Sequence, residues 1–240
     1  MAAVVLVAGF THGAVGFGFG MVVMSVLPLV LGLRVAVPVV ALLGLVMNVG
    51  LFLRYRASVE RRRLLPIALG AAVGAPLGVA VLHHVNPSLL AGALGVLLMA
   101  YVGWRFRSGV QGTPDTVSTT GGAVAGLLGG TLGAAFNIGA PPVIVYADRS
   151  GWPPAAFKGQ LQAFFVEVTV LQLALFGATG LLGEGELSLA ALLVPVLAVG
   201  AWLGVRASER MDRTRFRAAV LVVVFVLGAN LATRAVLAPG

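Results

Sequence analysis

The sequence predicts an all-α integral membrane protein made of two inverted repeats, each a re-entrant or broken helical hairpin followed by three transmembrane helices. Three observations predict it. Of 240 residues, 59% are hydrophobic and 10% charged, too few polar side chains to clothe a soluble globule of this size. Nearly the whole chain consists of apolar runs able to cross a hydrocarbon layer of about 30 Å at about 1.5 Å per residue. Finally, two loops that hold the same place 119 residues apart differ in charge: Arg54 to Arg63 is RYRASVERRR, whereas Ala178 to Glu186 is ATGLLGEGE. Basic loops stay on the cytoplasmic side. Two halves of common origin with opposite loop charge therefore point to an inverted-topology repeat.

The elements follow in order. The first repeat is residues 1–118. Its opening segment, 1–33, is apolar but broken by GAVGFGFGM, Gly13 to Met21. Full spans are expected at Val35 to Leu53, Leu64 to Leu82 and Ser88 to Trp104. A polar linker, RSGVQGTPDTVSTT (Arg107 to Thr120), joins the halves. The second repeat is residues 119–240. Its opening segment, Thr119 to Asp148, is broken by GGTLGAAFNIGAPP, Gly129 to Pro142. Spans are expected at Ala155 to Phe176, Leu187 to Val205 and Ala218 to Val236. The 119-residue offset pairs Phe17 with Phe136, Gly20 with Gly139, Gly32 with Gly151 and Pro76 with Pro195.

Charge then sets the topology. If the broken segments are hairpins that enter and leave on one side, Arg54 to Arg63 and Arg206 to Arg217 both lie inside, and HHVNPS (His83 to Ser88), GEGE (Gly183 to Glu186) and both termini lie outside. Each half then makes three full crossings, an odd number, so the second half is inverted. An ordinary eight-span course is the competing arrangement, and it would put the two basic loops on opposite faces.

Several function classes are excluded by the same inventory. The net charge is +8, and 15 of the 16 basic residues are Arg. They lie at the ends of apolar segments, as topology signals do, so nucleic acid is not an expected partner. There is no cysteine, hence no disulfide or thiolate ligand. His12, His83 and His84 have no acidic residue close in sequence, so no metal site is expected. No Ser/His/Asp arrangement, Walker lysine or cofactor-binding βαβ pattern is present, so neither an enzyme nor a cofactor is expected. The N-terminus lacks a basic n-region and is expected to belong to the membrane domain rather than to a signal peptide. Trp104 and Trp152 are expected as interfacial anchors.

Function is expected at the breaks. Backbone that leaves the helix at membrane depth is tolerated only where protein or a watery cavity satisfies it. Two breaks at equivalent places are the best sequence pointer to a substrate site. The candidates are Gly16, Phe17, Gly18, Phe19 and Gly20 in the first break, and Phe136, Asn137, Ile138, Gly139 and Ala140 in the second. A half-helix starting there presents free N–H groups and a partial positive charge, which favours a small anion. Thr11, His12, Thr131 and Asn137 are nearby side-chain donors, although Ser25 and Thr131 have their own helix carbonyls as competing acceptors. The alternative for the glycines is tight helix packing. Asn48 and Glu167 occupy equivalent positions under the offset, and Glu167 is the one acidic residue inside an expected span. An intramembrane carboxyl is a functional candidate by default, and Glu167 is assigned to coupling or gating. Gln160 lies two turns before Glu167 and is added to the substrate-binding set.

The chain resembles the TauE/SafE family of sulfite and organosulfonate exporters. The resemblance rests on GAVGFGFGM, on RYRASVERRR after the second apolar block, and on GLLGGTLGAAFNIGAPPVIVY followed by FKGQLQAFF. Asn137 and Ile138 depart from the glycine-richer tips common in that family. The resemblance implies a multi-pass secondary transporter of a bacterial-type inner (plasma) membrane. It would export sulfite or a sulfonate, bound near the midplane between the two hairpin tips. The small anion and the bilayer are the expected partners, and a homodimer is open beside the monomer. A channel-like pore and a non-transporting scaffold or receptor subunit are the alternative functions.

Overall fold

The computed structural model describes residues 1–107, 118–150 and 152–207, and beyond them 222, 225, 226, 228–230, 232 and 233. The described residues form helices and no strand. These are α1 (Ala2–Val15), α2 (Phe19–Met24), α3 (Leu27–Leu31), α4 (Leu33–Tyr55), a 3-10 turn (Arg56–Ser58), α5 (Arg61–His84), α6 (Pro87–Arg107), α7 (Thr119–Phe136), α8 (Ala140–Arg149), α9 (Pro154–Thr179) and α10 (Glu184–Ala207).

Among the described residues, five helices are long and apolar enough to cross a membrane: Leu33–Ser58, Arg61–His84, Pro87–Trp104, Ala156–Thr179 and Glu184–Ala207. They coincide with five of the six expected spans, with ends displaced by a few residues. The sixth, Ala218 to Val236, lies outside the described residues except for the isolated helical positions given above. The linker from 108 to 117 and the basic loop from 208 to 217 also lie outside them. Prolines 38, 66, 76 and 195 sit inside these helices, as is common in membrane spans, where neighbours and local adjustment compensate the lost N–H bond.

The chain forms two compact units, and each takes segments from both sequence halves. The first unit comprises Met1–Leu43, His84–Gly109 and Gly183–Gly240. Its central feature is α1 packed on α10. The backbones meet because glycines leave no side chain between them: a Cβ on Gly9 would lie 2.8 Å from the Leu197 carbonyl oxygen, and one on Gly13 would meet the Ala201 carbonyl. Gly200 and Gly204 face the carbonyls of Leu6 and Phe10 in return. Residue numbers rise together along the contact, so the two helices run parallel. In α6, Gly95 faces the Gly228 carbonyl in the same manner.

The second unit comprises Gly44–His83 and Val110–Leu182. Here α5 and α7 interlock, again parallel: Gly70, Gly74 and Gly78 face the carbonyls of Ala123, Leu127 and Thr131, while Gly126 and Gly130 face Ile67 and Ala71. This interlock repeats that of the first unit. Leu6–Gly200, Phe10–Gly204 and Gly9–Leu197 become Leu127–Gly74, Thr131–Gly78 and Gly130–Ala71 when the α1 numbers advance by 121 and the α10 numbers fall by 126. In each case the first helix of one half packs on a long helix of the other half. The packing units therefore differ from the sequence halves.

Within the second unit α8 doubles back along α7. Gly139 lies on Gly129 and Gly133, Val143 reaches Gly129, and Tyr146 reaches Gly121 and Gly122. The Tyr146 hydroxyl donates to the Ser118 carbonyl at 3.2 Å, beside the start of α7. The Ser118 hydroxyl caps that start by accepting from the Gly121 amide at 3.1 Å. Segment 119–149 is thus a closed helical hairpin. Phe164 and Val168 of α9 cover it at Gly129 and Gly133.

Candidate functional site: two broken helices

The two breaks share one backbone construction. Helix α1 stops at Gly16 (φ 92°), whose amide bonds to the His12 carbonyl at 2.7 Å. Helix α7 stops at Asn137 (φ 56°), whose amide bonds to the Gly133 carbonyl at 2.7 Å. Both are left-handed caps. Asn137 is the one described non-glycine residue with positive φ, and asparagine is the residue other than glycine that tolerates this conformation best. Each chain then restarts a helix three residues after its cap, at Phe19 and at Ala140. The caps lie 121 residues apart, two more than the identity-based offset, so Phe17 and Phe136 hold different places: one follows its cap and the other precedes it.

The first break is held by a histidine. The Phe19 amide donates to His12 Nδ1 at 3.3 Å, in a buried setting, and the two rings meet edge-on at 6.5 Å. Nδ1 is therefore the acceptor, which places the imidazole proton on Nε2. Of the amides that open α2, that of Phe19 is engaged by His12, while those of Gly20 and Met21 have no partner within the helix by position. Gly18 has φ 104°, and a Cβ there would meet nothing closer than Thr11 Cγ2 at 3.6 Å. Glycine is required at this point by backbone conformation, and there is room beside it. Phe17 and Phe19 are buried.

The second break is denser. A Cβ on Gly139 would lie 2.5 Å from the Gly129 carbonyl oxygen and 3.2 Å from Phe164, so this glycine serves the fold-back of α8. Phe136, Ile138 and Ala140 are buried around it. Pro141 and Pro142 occupy the first turn of α8 and remove two of its N–H groups, which leaves Gly139 and Ala140 as the amides at this helix start. The Ile138 amide bonds to the Leu132 carbonyl at 3.3 Å.

The hydroxyl groups near the breaks spend their protons locally. Thr11 Oγ1 donates to the Val7 carbonyl at 2.8 Å, Ser25 Oγ to Val22 at 2.8 Å, and Thr131 Oγ1 reaches Leu127 at 2.9 Å and Gly74 at 3.2 Å. In this conformation these hydroxyls offer lone pairs rather than protons to the breaks.

The remaining candidates lie in the second unit. Asn48 is 7% exposed, and its Oδ1 has no partner among the described residues. Helices α4 and α9 start 121 residues apart, at Leu33 and Pro154, and end 124 apart, at Tyr55 and Thr179; the offset of 121 pairs Asn48 with Thr169, also 7% exposed, and the offset of 119 pairs it with Glu167. Glu167 lies half-buried in the middle of α9. Gln160 is completely buried and sits at the other end of that helix, where Nε2 donates to the Glu60 carbonyl at 2.9 Å and ties α9 to the α4–α5 loop. Sequence reasoning assigned no role to Gln172. Its Nε2 donates to the Ala134 carbonyl at 2.8 Å, one of the last four carbonyls of α7, which a helix end leaves unsatisfied. The signal for it was an amide in an apolar span, shared with Gln160 and Gln162, and it carried no address for a partner. Trp152, expected as an interfacial anchor, is buried and packs edge-on against Tyr146 at 5.8 Å.

The comparisons with known proteins converge. The family model described as "Sulfite exporter TauE/SafE" matches residues 1–231. A curated protein of Cupriavidus necator (strain H16), named "Probable sulfite/organosulfonate exporter TauE", is 27% identical over 222 residues, covering 90% of this chain and 86% of the relative. No solved structure matches.

Proposed function

We propose, from the premise that the chain belongs to the sulfite exporter TauE/SafE family, that it exports a small sulfur-containing anion, sulfite or an organosulfonate, with the backbone amides at its helix breaks as anion donors. At the level of the family it is a multi-pass membrane exporter and not an enzyme. The observation that carries the finer reading is the pair of left-handed caps at Gly16 and Asn137, each followed three residues later by a new helix. The construction halts a helix in mid-course and turns amide groups toward the break. Gly20 and Met21 supply them at the first break, and Gly139 and Ala140 at the second. Backbone donors suit tetrahedral or pyramidal oxyanions and need no buried cation.

The inner membrane is the proposed location, with the two repeats inverted. The fold-back of α8 onto α7 supports the inversion, because a hairpin adds no crossing and leaves three spans in each half. Outward movement of an anion gains about 2.3 kcal/mol per charge per 100 mV of inside-negative potential. Glu167 is the proposed proton-exchanging group where transport is pH-coupled.

The test begins with thermal-shift measurements on the purified protein with sulfite, sulfate, thiosulfate, taurine, sulfoacetate and carboxylates. The sulfur oxyanions are expected to stabilise it and the carboxylates to have less effect. Flux from proteoliposomes should then saturate and show counterflow. Stabilisation by carboxylates alone would count against the substrate class, and flux without saturation or counterflow would indicate a pore.

A further inference from the structure

The α4–α5 loop carries more organisation than a topology signal needs. Arg54, Arg56, Arg61 and Arg62 are exposed, and the loop's one acid, Glu60, is held by Arg63, Nε to Oε2 at 2.6 Å. Its negative charge is therefore spent on a fifth arginine and does not offset the other four. The loop is also fixed in place. Gln160 grips the Glu60 carbonyl, Gly159 lies against the Tyr55 carbonyl, and Lys158 Nζ sits 5.3 Å over the Tyr55 ring. The arginines thus flank a braced connection, the 3-10 turn carrying Arg56 between the end of α4 and the start of α5, whose backbone is tied to α9.

An apolar ridge leads directly away from this charge. Counting by four from Arg61 along α5 gives Leu65, Leu69, Val73 and Leu77, which are 59%, 61%, 61% and 51% exposed. Residues four apart form a continuous ridge on a helix surface. On α4, Leu53 is likewise exposed just before Arg54. Cations at one end and an unbroken apolar ridge below them match an amphiphile with an anionic head. The ridge belongs to the candidate span Arg61–His84, so acyl chains lie against it directly below the arginines, whereas a water-soluble anion would use the arginines alone.

We propose that the α4–α5 loop and the α5 ridge form a docking site for an anionic glycerophospholipid. Arg56, Arg61 and Arg62 hold its phosphate, and an acyl chain lies along Leu65, Leu69, Val73 and Leu77. Basic residues at the end of a span attract anionic headgroups, and the brace to α9 reduces the ordering cost of binding. Because the brace also includes Gln160, a bound lipid fastens the start of the helix that carries Glu167. The proposal concerns lipid retention and stands independently of the transported substrate.

The experiment uses the full chain purified in an uncharged maltoside detergent. It is titrated with dioleoylphosphatidylglycerol or dioleoylphosphatidylcholine, and retained lipid is counted by native mass spectrometry alongside the unfolding temperature. Phosphatidylglycerol should be retained and should raise the unfolding temperature, whereas phosphatidylcholine with the same chains, inorganic phosphate and glycerol phosphate should not. The Arg56→Gln/Arg61→Gln/Arg62→Gln variant should bind phosphatidylglycerol at least tenfold more weakly. Glu60→Gln, which unmasks Arg63, should bind it more tightly. Equal retention of the two lipids, a full effect from glycerol phosphate alone, or undiminished binding by the triple variant would overturn the proposal. Should the triple variant not fold, unchanged or weaker binding by Glu60→Gln overturns it.

Discussion

Gly18, Asn137 and Glu167 show what single positions contribute. Gly18 is glycine because φ is 104°, while a Cβ there would be in ordinary van der Waals contact with Thr11 Cγ2 at 3.6 Å and the Met21 methyl at 3.9 Å. Gly18→Val therefore acts first through backbone strain, since the Cβ itself fits beside Thr11 and Met21. The expected result is a protein that folds and has lost anion binding in the thermal-shift assay; normal binding by the folded variant would reduce the first break to packing. Asn137→Ala should cost about 1 kcal/mol of stability, the penalty for a left-handed residue with an ordinary side chain, and Asn137→Gly should not. Thermal unfolding of the two variants decides. The departure of Asn137 from a glycine-rich tip has this backbone explanation and needs no ligand. Glu167→Gln keeps the shape and hydrogen bonding of the side chain but cannot exchange a proton. Its anion flux in proteoliposomes at clamped potential should lose the pH dependence of the wild type, and identical profiles would leave Glu167 as a structural donor. The sequence made such residues visible by their oddity in an apolar chain. It could not supply their partners: Gln160 binds the Glu60 carbonyl and Gln172 the Ala134 carbonyl, contacts 100 and 38 residues away in sequence.

At the scale of elements, the long helices were legible because apolar length alone identifies them, and the breaks because glycine and proline punctuate them. The register between halves was less legible. In a chain with 33 glycines, chance identities are frequent, and an offset of 119 came from them. The caps and the helix restarts after them show 121, and the interlocking pairs demand 126 for α5 and α10, two turns beyond the Pro76–Pro195 match. Glycines at every fourth position in α5 announced close packing without saying against what. Their energetics separate cleanly from those of other glycines. A Cβ on Gly126 would be driven into the backbone of Ile67, which cannot rotate away, whereas one on Gly177 meets nothing within 4 Å. Gly126→Ala should lower stability by about 1–3 kcal/mol, typical of overpacking. Gly177→Ala should be neutral or stabilising by up to about 1 kcal/mol through helix propensity. Unfolding both variants in the same detergent makes the comparison; equal effects would contradict the interlock.

At the scale of the whole molecule, the absence of cysteine makes the sidedness of the loops directly measurable. Single cysteines placed in the loop from Arg54 to Arg63 and in that from Arg206 to Arg217 should both label from the cytoplasmic face, and cysteines near the termini from the opposite face. Labelling of the two basic loops from opposite faces would establish an ordinary eight-span course. Such a course must also accommodate a second hairpin whose ends meet at Ser118 and Tyr146.

The crossed pairing of helices also imposes an order of assembly. Helix α7 emerges from the ribosome when its partner α5 has already been made, about 50 residues earlier. Helix α1 has the opposite history. Gly9 waits for Leu197, 188 residues downstream (197 − 9), a delay of roughly 10–40 s at ~5–20 residues per second. Throughout that interval the glycine face of α1, built to lie against another backbone, has no such neighbour. Helix α1 is thus made long before it is secured, and the insertion machinery or the surrounding lipid must hold it until α10 arrives.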